Sequence, residues 1–274
     1  MPKRRKLLSS IQSAVASVAQ SHPYIWKFSW DALHRLPFLL PHDKSYNAFR
    51  HFIKSSPAGL FLDVGANDGI SVLSFRKFDR DYRILSLEPN PLLEPALKKI
   101  KERDSRFEYR MVGAGDRPAR LKLYVPSYRG VVLHILAAVE REQVVTALAN
   151  CFGRSVAKRC TIDPVEGEII RIDDLKVEPS IVKIDAEGFD YQVLLGAGET
   201  IAHSRPFVMV EIAFAAKHNI TDFFAQRDYL LAAYDIDQDR FTETVGEFGW
   251  GPSGERNIFG IPKEKMAALP FQTG

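Results

Sequence analysis

Beyond residue 59 the chain alternates short, continuously apolar runs with stretches whose apolar residues recur every three or four positions. The runs Leu60–Val64, Ile84–Glu88, Glu108–Val112, Ile181–Asp185 and Phe207–Ile212 read as strands. Helical spacing follows at about Ile70–Phe78, Pro91–Arg103, Tyr191–Leu195 and Asp222–Ala233. Pro91 at a first helical turn and Gly198 after a helix supply the expected punctuation. Alternating strands and helices predict an α/β fold, a mostly parallel sheet with helices on both faces. Between the third and fourth strands lies a longer excursion, residues 119–174, with a strand at Leu121–Val125, a helix around Ala137–Ala149 and a strand near Glu168–Arg171. Tyr234–Asp237 and Asn257–Ile261 are expected as the last two strands, joined through the Gly- and Pro-containing stretch Gly246–Gly254.

The first 54 residues read differently. Leu7, Leu8, Ile11, Val15 and Val18 form a thin apolar stripe at helical spacing, with Ser9, Ser10, Gln12, Ser13, Ser17 and Gln20 opposite. Nine Lys and Arg face two acids in residues 1–54, whereas 28 face 32 in the remainder, so a basic arm precedes a slightly acidic body. The stripe fits a helix packed on the domain, a transit peptide or, with Lys3 to Lys6, a helix on an anionic membrane surface through residues 1–20. The acidic body, which lacks a basic and aromatic stripe, disfavours nucleic acid as a partner. The expected division is therefore an arm over 1–54 and a catalytic body over 55–274, with 119–174 inserted on the substrate side.

Composition narrows the class. With 46% hydrophobic and 26% charged residues the chain has an ordinary globular balance, and disordered or collagen-like classes drop out. Cys151 and Cys160 are too few for a zinc ribbon or a disulfide framework, which favours a reducing, cytoplasmic setting, with peripheral membrane attachment left open. The apolar runs fall short of the ~18 residues of a membrane span.

Chemistry concentrates at three strand ends. Asp63-Val64-Gly65-Ala66-Asn67-Asp68-Gly69 ends the first strand with an acid and then sets two glycines before a helix. Glycine suits backbone that must approach a ligand, and a helix start offers unpaired N–H groups. A dinucleotide fingerprint would need glycine at 67 and 70, where Asn67 and Ile70 stand, so a cofactor without phosphates, such as S-adenosylmethionine, fits better. Nineteen residues after Gly69, Glu88 ends the second strand, where a carboxylate can accept both hydroxyls of a ribose. Asp185 and Glu187 follow the fourth strand and Glu211 closes the fifth; if strand geometry persists, Asp185 and Glu187 project to one side. Each also has a structural reading: Glu187 as a helix cap, Glu211 paired with Lys183, Asp185 holding a loop.

The string Asp63 to Gly69, then Glu88-Pro89-Asn90, Arg171-Ile172-Asp173-Asp174-Leu175, Lys183-Ile184-Asp185-Ala186-Glu187-Gly188-Phe189-Asp190 and Glu211 resembles the FkbM-type S-adenosylmethionine-dependent methyltransferases. The resemblance runs from about Gly59 to Ile212, with an echo in Asn257 to Pro262, and it rests on the spaced combination of motifs. It implies a class I methyltransferase (Rossmann-like) fold with a mostly parallel seven-stranded sheet, and O-methylation of a sugar, glycan or natural-product hydroxyl. By the same resemblance Asp63, Gly65, Ala66, Asn67 and Gly69 form the cofactor loop, Glu88 binds ribose with Pro89 and Asn90 beside it, and Gly113 completes the cofactor set. Asp185 and Glu187 then sit near the transferred methyl.

Such a transfer is a displacement in which the protein chiefly aligns the reacting atoms, and a base contributes roughly 10²–10⁴-fold. The candidate bases are Asp185, Glu187 and His134, the last within an apolar run that more often packs than catalyses. A divalent metal on Asp185, Glu187 and Glu211 is possible on carboxylate chemistry, but no metal site is assigned. The expected acceptor is a small hydroxylated or carbohydrate molecule. Two alternatives stand beside this reading: an RNA or protein methyltransferase recruiting its polymer through the basic arm, and a non-catalytic S-adenosylmethionine-binding interaction protein. Oligomeric state is not legible in the chain.

Overall fold

The computed structural model describes residues 23–25, 27–28, 41–211, 217–243 and 257–271. The apolar stripe from Leu7 to Val18 and the loop Gly246–Gly254 lie outside the described residues. In chain order the helices and strands are α1 (Phe49–Ser55), β1 (Leu60–Val64), α2 (Ile70–Phe75), β2 (Arg83–Leu87), α3 (Glu94–Lys101), β3 (Phe107–Arg110), β4 (Gly113–Ala114), β5 (Ala119–Tyr128), β6 (Val131–Val132), α4 (Arg141–Phe152), α5 (Arg154–Ala157), β7 (Thr161–Ile170), β8 (Ile181–Ile184), α6 (Asp190–Gly196), α7 (Gly198–Ser204), β9 (Phe207–Glu211), α8 (Lys217–Ala225), β10 (Tyr229–Asp235), β11 (Arg240–Glu243) and β12 (Asn257–Pro262). The chain divides into two compact units, the larger made of Phe38–Arg120 and Gly167–Gly274 and the smaller of Met1–Pro37 and Leu121–Glu166.

The larger unit is built on an eight-stranded sheet in the order β11-β10-β12-β9-β8-β1-β2-β3. From β3 to β9 neighbouring strands run parallel, whereas β12 is antiparallel to both β9 and β10, and β11 to β10. The sheet is therefore mostly parallel, as expected, but mixed, and it has eight strands where seven were expected. The eighth strand is β11, where no element was expected; β10 also starts earlier than the strand expected at Tyr234–Asp237 and takes the end of the helix expected over Asp222–Ala233, the segment Tyr229–Ala233. Its Leu-Leu-Ala-Ala run favours helix locally, but α8 stops at Ala225, and the segment lies between β12 and β11 with nearly every residue buried. Pairing on both edges and burial on both faces outweigh the strong helix propensity of leucine and alanine, which amounts to only fractions of a kcal/mol per residue.

Period-two alternation sends neighbouring residues to opposite faces. Phe61, Phe107, Phe207 and Phe259 belong to one core, packed with Phe49 and Phe52 of α1 and Phe75 of α2. Leu62, Val182, Val208 and Ile258 belong to the other, under Val193 and Leu194 of α6, Ile201 of α7 and Phe224 of α8. The first core is stitched by aromatic stacking, Phe61 on Phe75 at 4.2 Å and Phe52 on Phe207 at 4.4 Å between ring centroids. Residues 41–54, expected as part of a separate arm, thus supply core to the larger unit, because Tyr46, Phe49 and Phe52 are buried in it.

In the smaller unit β5 and β6 pair as an antiparallel hairpin through Ser127 with Val132 and Tyr128 with Val131. Helix α4 starts at Arg141 and lays Val144, Leu148 and Phe152 against Tyr128 and Leu133. The strand expected near Glu168–Arg171 is longer, Thr161–Ile170, and Leu121–Val125 lies inside Ala119–Tyr128.

The Arg171-to-Leu175 motif is structural. Buried Asp173 accepts the backbone N–H of Thr200 at 2.8 Å and of Glu199 at 3.3 Å, so it caps the start of α7, while Arg171 pairs with it at 2.8 Å. Replacing a capping carboxylate costs about 0.5–2 kcal/mol, and the stranded arginine adds to this. Asp173→Ala is expected to lower the unfolding free energy by that amount, read as a lower urea midpoint at unchanged m-value, while Asp174→Ala, at a more exposed position, leaves the midpoint nearly unmoved.

Candidate active site

A buried ammonium organises the carboxyl edge of the sheet. Lys183, on β8, is 3% exposed and its Nζ donates to the carbonyls of Gly65 at 2.7 Å and Val64 at 3.3 Å. The same nitrogen lies 3.4 Å from both Asp63 and Asp185. Burial alone would discharge this lysine, but Asp185 and Asp63 outweigh it and raise its pKa above the ordinary lysine value. Asp63 Oδ2 also accepts the hydroxyls of Ser71 at 2.6 Å and Ser86 at 2.8 Å. Asp63 is fully buried and turned inward, so it props the loop from beneath.

Above it the loop takes three left-handed residues, Gly65, Asn67 and Gly69, with φ of +77°, +53° and +89°. The glycines serve close packing within the protein. A Cβ on Gly65 would lie 1.8 Å from the Asp185 carbonyl, and one on Gly69 would lie 2.2 Å from Ile100 of α3. Gly69 therefore admits α3, which replaces the expectation that its missing side chain makes room for a ligand. The N–H groups of Gly65 and Ala66 both reach the Leu87 carbonyl, at 3.0 and 3.1 Å, binding the loop to the end of β2.

Glu88 stands immediately beyond β2 and is 6% exposed. Its Oε2 accepts the Asn67 N–H at 2.8 Å and its Oε1 the Asn90 N–H at 2.9 Å, which orients the carboxyl between loop and β2. Burial raises its pKa, opposed by those two N–H groups and by Lys183. Pro89 packs beside Gly113, where an added Cβ would meet Ile169 at 2.6 Å and Pro89 at 3.3 Å. Each Glu88 oxygen keeps further acceptor capacity after its backbone bond, which suits a diol and not a phosphate.

Asp185 follows β8 with its side chain 37% exposed. Burial would raise its pKa, but Lys183 and a hydrogen bond with Glu211 prevail and lower it, so the carboxylate is ionised. The strand geometry that would send Asp185 and Glu187 to one side does not persist: β8 ends at Ile184 and Glu187 is an exposed turn residue with φ of +49°. That turn is held by Asp190, whose carboxylate accepts the N–H groups of Ala186 at 2.8 Å and Gly188 at 3.2 Å. Asp185 and Glu211 come together, then, without Glu187. Among the described residues no group of three or more His, Cys, Asp or Glu is arranged to hold a metal. His134 belongs to the smaller unit, in the turn His134–Leu136 after β6.

Two residues absent from the candidate set enter from the segment before α1. Ser74 Oγ of α2 accepts the His42 N–H at 3.1 Å and lies 2.8 Å from its Nδ1, while the ring meets the edge of Tyr46 at 4.7 Å. Crowding by protein lowers the His42 pKa, opposed by Asp43, reinforced by Lys183 and opposed more weakly by Asp185 and Asp63, and the imidazole is neutral at pH 7. Burial likewise raises the Tyr46 phenol, with Asp63, Asp185, Asp43 and Glu211 adding to it. The segment is anchored by Asn257, paired in register with Glu211, which donates to Asp43 at 2.8 Å and Ser45 at 2.9 Å. No local motif marks these residues; only the fold brings position 42 to positions 74 and 185.

A sheet with parallel strands whose carboxyl ends carry a glycine-bearing turn and buried acids defines a nucleotide-type ligand-binding α/β domain. The domain model described as "Methyltransferase FkbM domain" matches residues 63–235, more than half of the chain, and the protein belongs to that family of methyltransferases. No curated protein matches the chain in sequence. Among solved structures it is similar to an FkbM methyltransferase of Methylobacillus flagellatus KT, with 16% identity, TM-score 0.43, and 74% of this chain aligned to 43% of that one. It is also similar to Aeropyrum pernix fibrillarin in complex with natively bound S-adenosyl-L-methionine, with 8% identity, TM-score 0.39, and 79% and 76% of the two chains aligned. A third, a SAM-dependent O-methyltransferase of Thermotoga maritima, has 7% identity and TM-score 0.37, with 85% and 66% aligned. The chain thus spans less than half of the Methylobacillus protein, and the family assignment rests on the domain match.

Removing the ammonium tests the network. Lys183→Met leaves Asp63 buried without its counter-charge, a change that costs about 3–5 kcal/mol. Chemical denaturation at pH 7 is expected to show that loss. The double variant Lys183→Met/Asp63→Leu is expected to recover part of it, since burying no charge is cheaper than burying one alone.

Proposed function

We propose that the chain transfers a methyl group from S-adenosylmethionine to a hydroxyl of a sugar, glycan or related natural product. The observation that carries the reading is Glu88, a buried carboxyl at the end of β2 held by two backbone N–H groups with acceptor capacity left for a ribose diol. Absence of the dinucleotide glycine pattern argues the same way. When bound, the cofactor supplies an electrophilic methyl on a sulfonium, so the protein's work is to align and to accept a proton. Ionised Asp185, at the end of β8, is the group in this reading that takes the acceptor's hydroxyl proton as the O–C bond forms.

Incubation with isotopically labelled S-adenosylmethionine and carbohydrate or natural-product extracts, followed by mass analysis, is expected to yield methyl ethers of neutral hydroxylated molecules. Asp185→Asn is expected to slow that transfer by roughly 10²-fold or more. Glu88→Ala is expected to weaken cofactor binding by about 1.5–3 kcal/mol in calorimetry. Label appearing only in RNA or protein would favour a polymer substrate, and binding without turnover would favour a non-catalytic role.

Association with an anionic membrane surface is a second reading, for the smaller unit. Residues 23–25 and 27–28 are helical, with Phe28 74% exposed, Tyr24 45% and Ile25 41%, following a sequence rich in Lys and Arg. Deletion of residues 1–20 is expected to reduce co-sedimentation with anionic liposomes and to leave calorimetric binding of S-adenosylmethionine unchanged. Undiminished sedimentation would remove the membrane reading.

A further inference from the structure

The recess formed by β1, β8 and β9 with the segment before α1 carries more negative than positive charge. Lys183 is its buried cation, and that single charge is shared by Asp185 and Asp63, each 3.4 Å away, and by the two loop carbonyls. His42 is neutral and adds none. Facing that one positive charge, besides Asp63, are the hydrogen-bonded pair of Asp185 and Glu211, carrying at least one negative charge, and Asp43, whose carboxylate is fixed by Ser45 and Asn257. Asp63, Lys183 and Tyr46 beside them are buried, so charge there is screened less than in open solvent.

A second observation points to a ligand in the same place. Tyr46 is 1% exposed, and its hydroxyl has no hydrogen-bond partner although the charges of Asp63, Asp185, Asp43 and Glu211 all act on it. A buried O–H donor left unspent among carboxylates costs free energy in the empty protein. That cost persists in a site preorganised to receive a polar or charged group.

We propose that this recess discriminates by charge, retaining the sulfonium form of the cofactor in preference to the neutral thioether left after transfer, with Asp185 as the residue that sets the preference. The inference rests on the cofactor reading above and extends it to product release. In the reaction the acceptor oxygen bonds to the methyl carbon and the S–CH3 bond breaks with its electron pair returning to sulfur. The hydroxyl proton passes to Asp185. The cation and the carboxylate that attracted it therefore disappear together, and the thioether is left in a recess that no longer holds it by charge.

Calorimetric affinities for three probes test this without an acceptor: S-adenosylmethionine, S-adenosylhomocysteine, and the adenosyl amino acid in which an amine-bearing carbon replaces the S-methyl group. The wild-type protein is expected to bind the two cationic probes about tenfold or more tightly than the thioether, as an excess of one carboxylate charge over the single ammonium at short range warrants. Asp185→Asn is expected to bring the three affinities to within about threefold while retaining thioether binding. Equal or tighter binding of the thioether by the wild-type protein would overturn the proposal, and because that comparison uses no variant, misfolding of Asp185→Asn cannot protect it. A charge preference undiminished in folded Asp185→Asn would overturn the assignment to Asp185. Failure of all three probes to bind would overturn the cofactor reading, whereas thioether preference leaves that reading standing and removes only this inference.

Discussion

Lys183 is charged and almost wholly enclosed, and the loop, the first strand and the fourth parallel strand all meet on its ammonium. A buried ion is tolerated only when neighbouring charges and dipoles replace the water it has lost. Here the replacement comes from Asp63 on β1, from the two carbonyls that begin the left-handed loop and from Asp185 beyond β8. The constraint runs both ways. The ammonium needs the loop carbonyls turned inward, and turning them inward forces Gly65 into a conformation and a closeness to the Asp185 carbonyl that no side chain would allow. With its carbonyls committed below, the loop offers N–H groups sideways to Leu87 and Glu88. One cation therefore fixes the positions of both acids invoked for function, Glu88 through the loop and Asp185 directly.

Much of this was legible because it lies in contiguous segments. Four of the five parallel strands are predominantly apolar runs of the right length, the edge strand β3 with Glu108 and Arg110 being the exception, and Asp63, Gly65, Glu88 and Asp185 fall at strand ends by simple counting. What counting could not supply was the direction of each side chain. Asp63 reads as a ligand-facing acid but points into the interior toward Ser71 and Ser86. Gly69 reads as a gap for a ligand but is filled by Ile100, thirty-one residues away in the chain. Glu187 follows the alternation of a strand on paper, yet the strand ends before it. Lys183 was visible only as a possible partner of Glu211, since nothing local reveals that a lysine in a buried strand will be matched by two carboxylates and two carbonyls.

The remaining differences come from tertiary context overriding local preference. Tyr229–Asp235 has a helical composition and becomes a strand because β12 and β11 flank it. Residues 41–54 share the basic composition of what precedes them but carry Tyr46, Phe49 and Phe52, whose burial against Phe61, Phe75 and Phe207 outweighs charge segregation as a guide to where a domain begins. His42 and Tyr46 were missed for the same reason, being assigned to an arm and not to the wall of a site.

The segment before α1 is also the one that gives the carboxyl edge its asymmetry. On the β2 side the edge presents Glu88, whose pKa is raised and whose oxygens are already oriented by backbone N–H groups; on the β8 and β9 side it presents ionised Asp185 beside Glu211. Residues 42–46 stand against that second side, and Asn257 at the start of β12 ties them there through Asp43 and Ser45. β12 runs antiparallel to β9, so its first residue, not its last, lies at the carboxyl edge of the parallel strands, and this is what lets Asn257 reach Asp43. A parallel strand in that place would present its C-terminal residue there instead. The reversal of one strand thus joins the end of the sheet to the beginning of the domain, and the crevice gains a wall that a wholly parallel sheet of the same sequence order would not have.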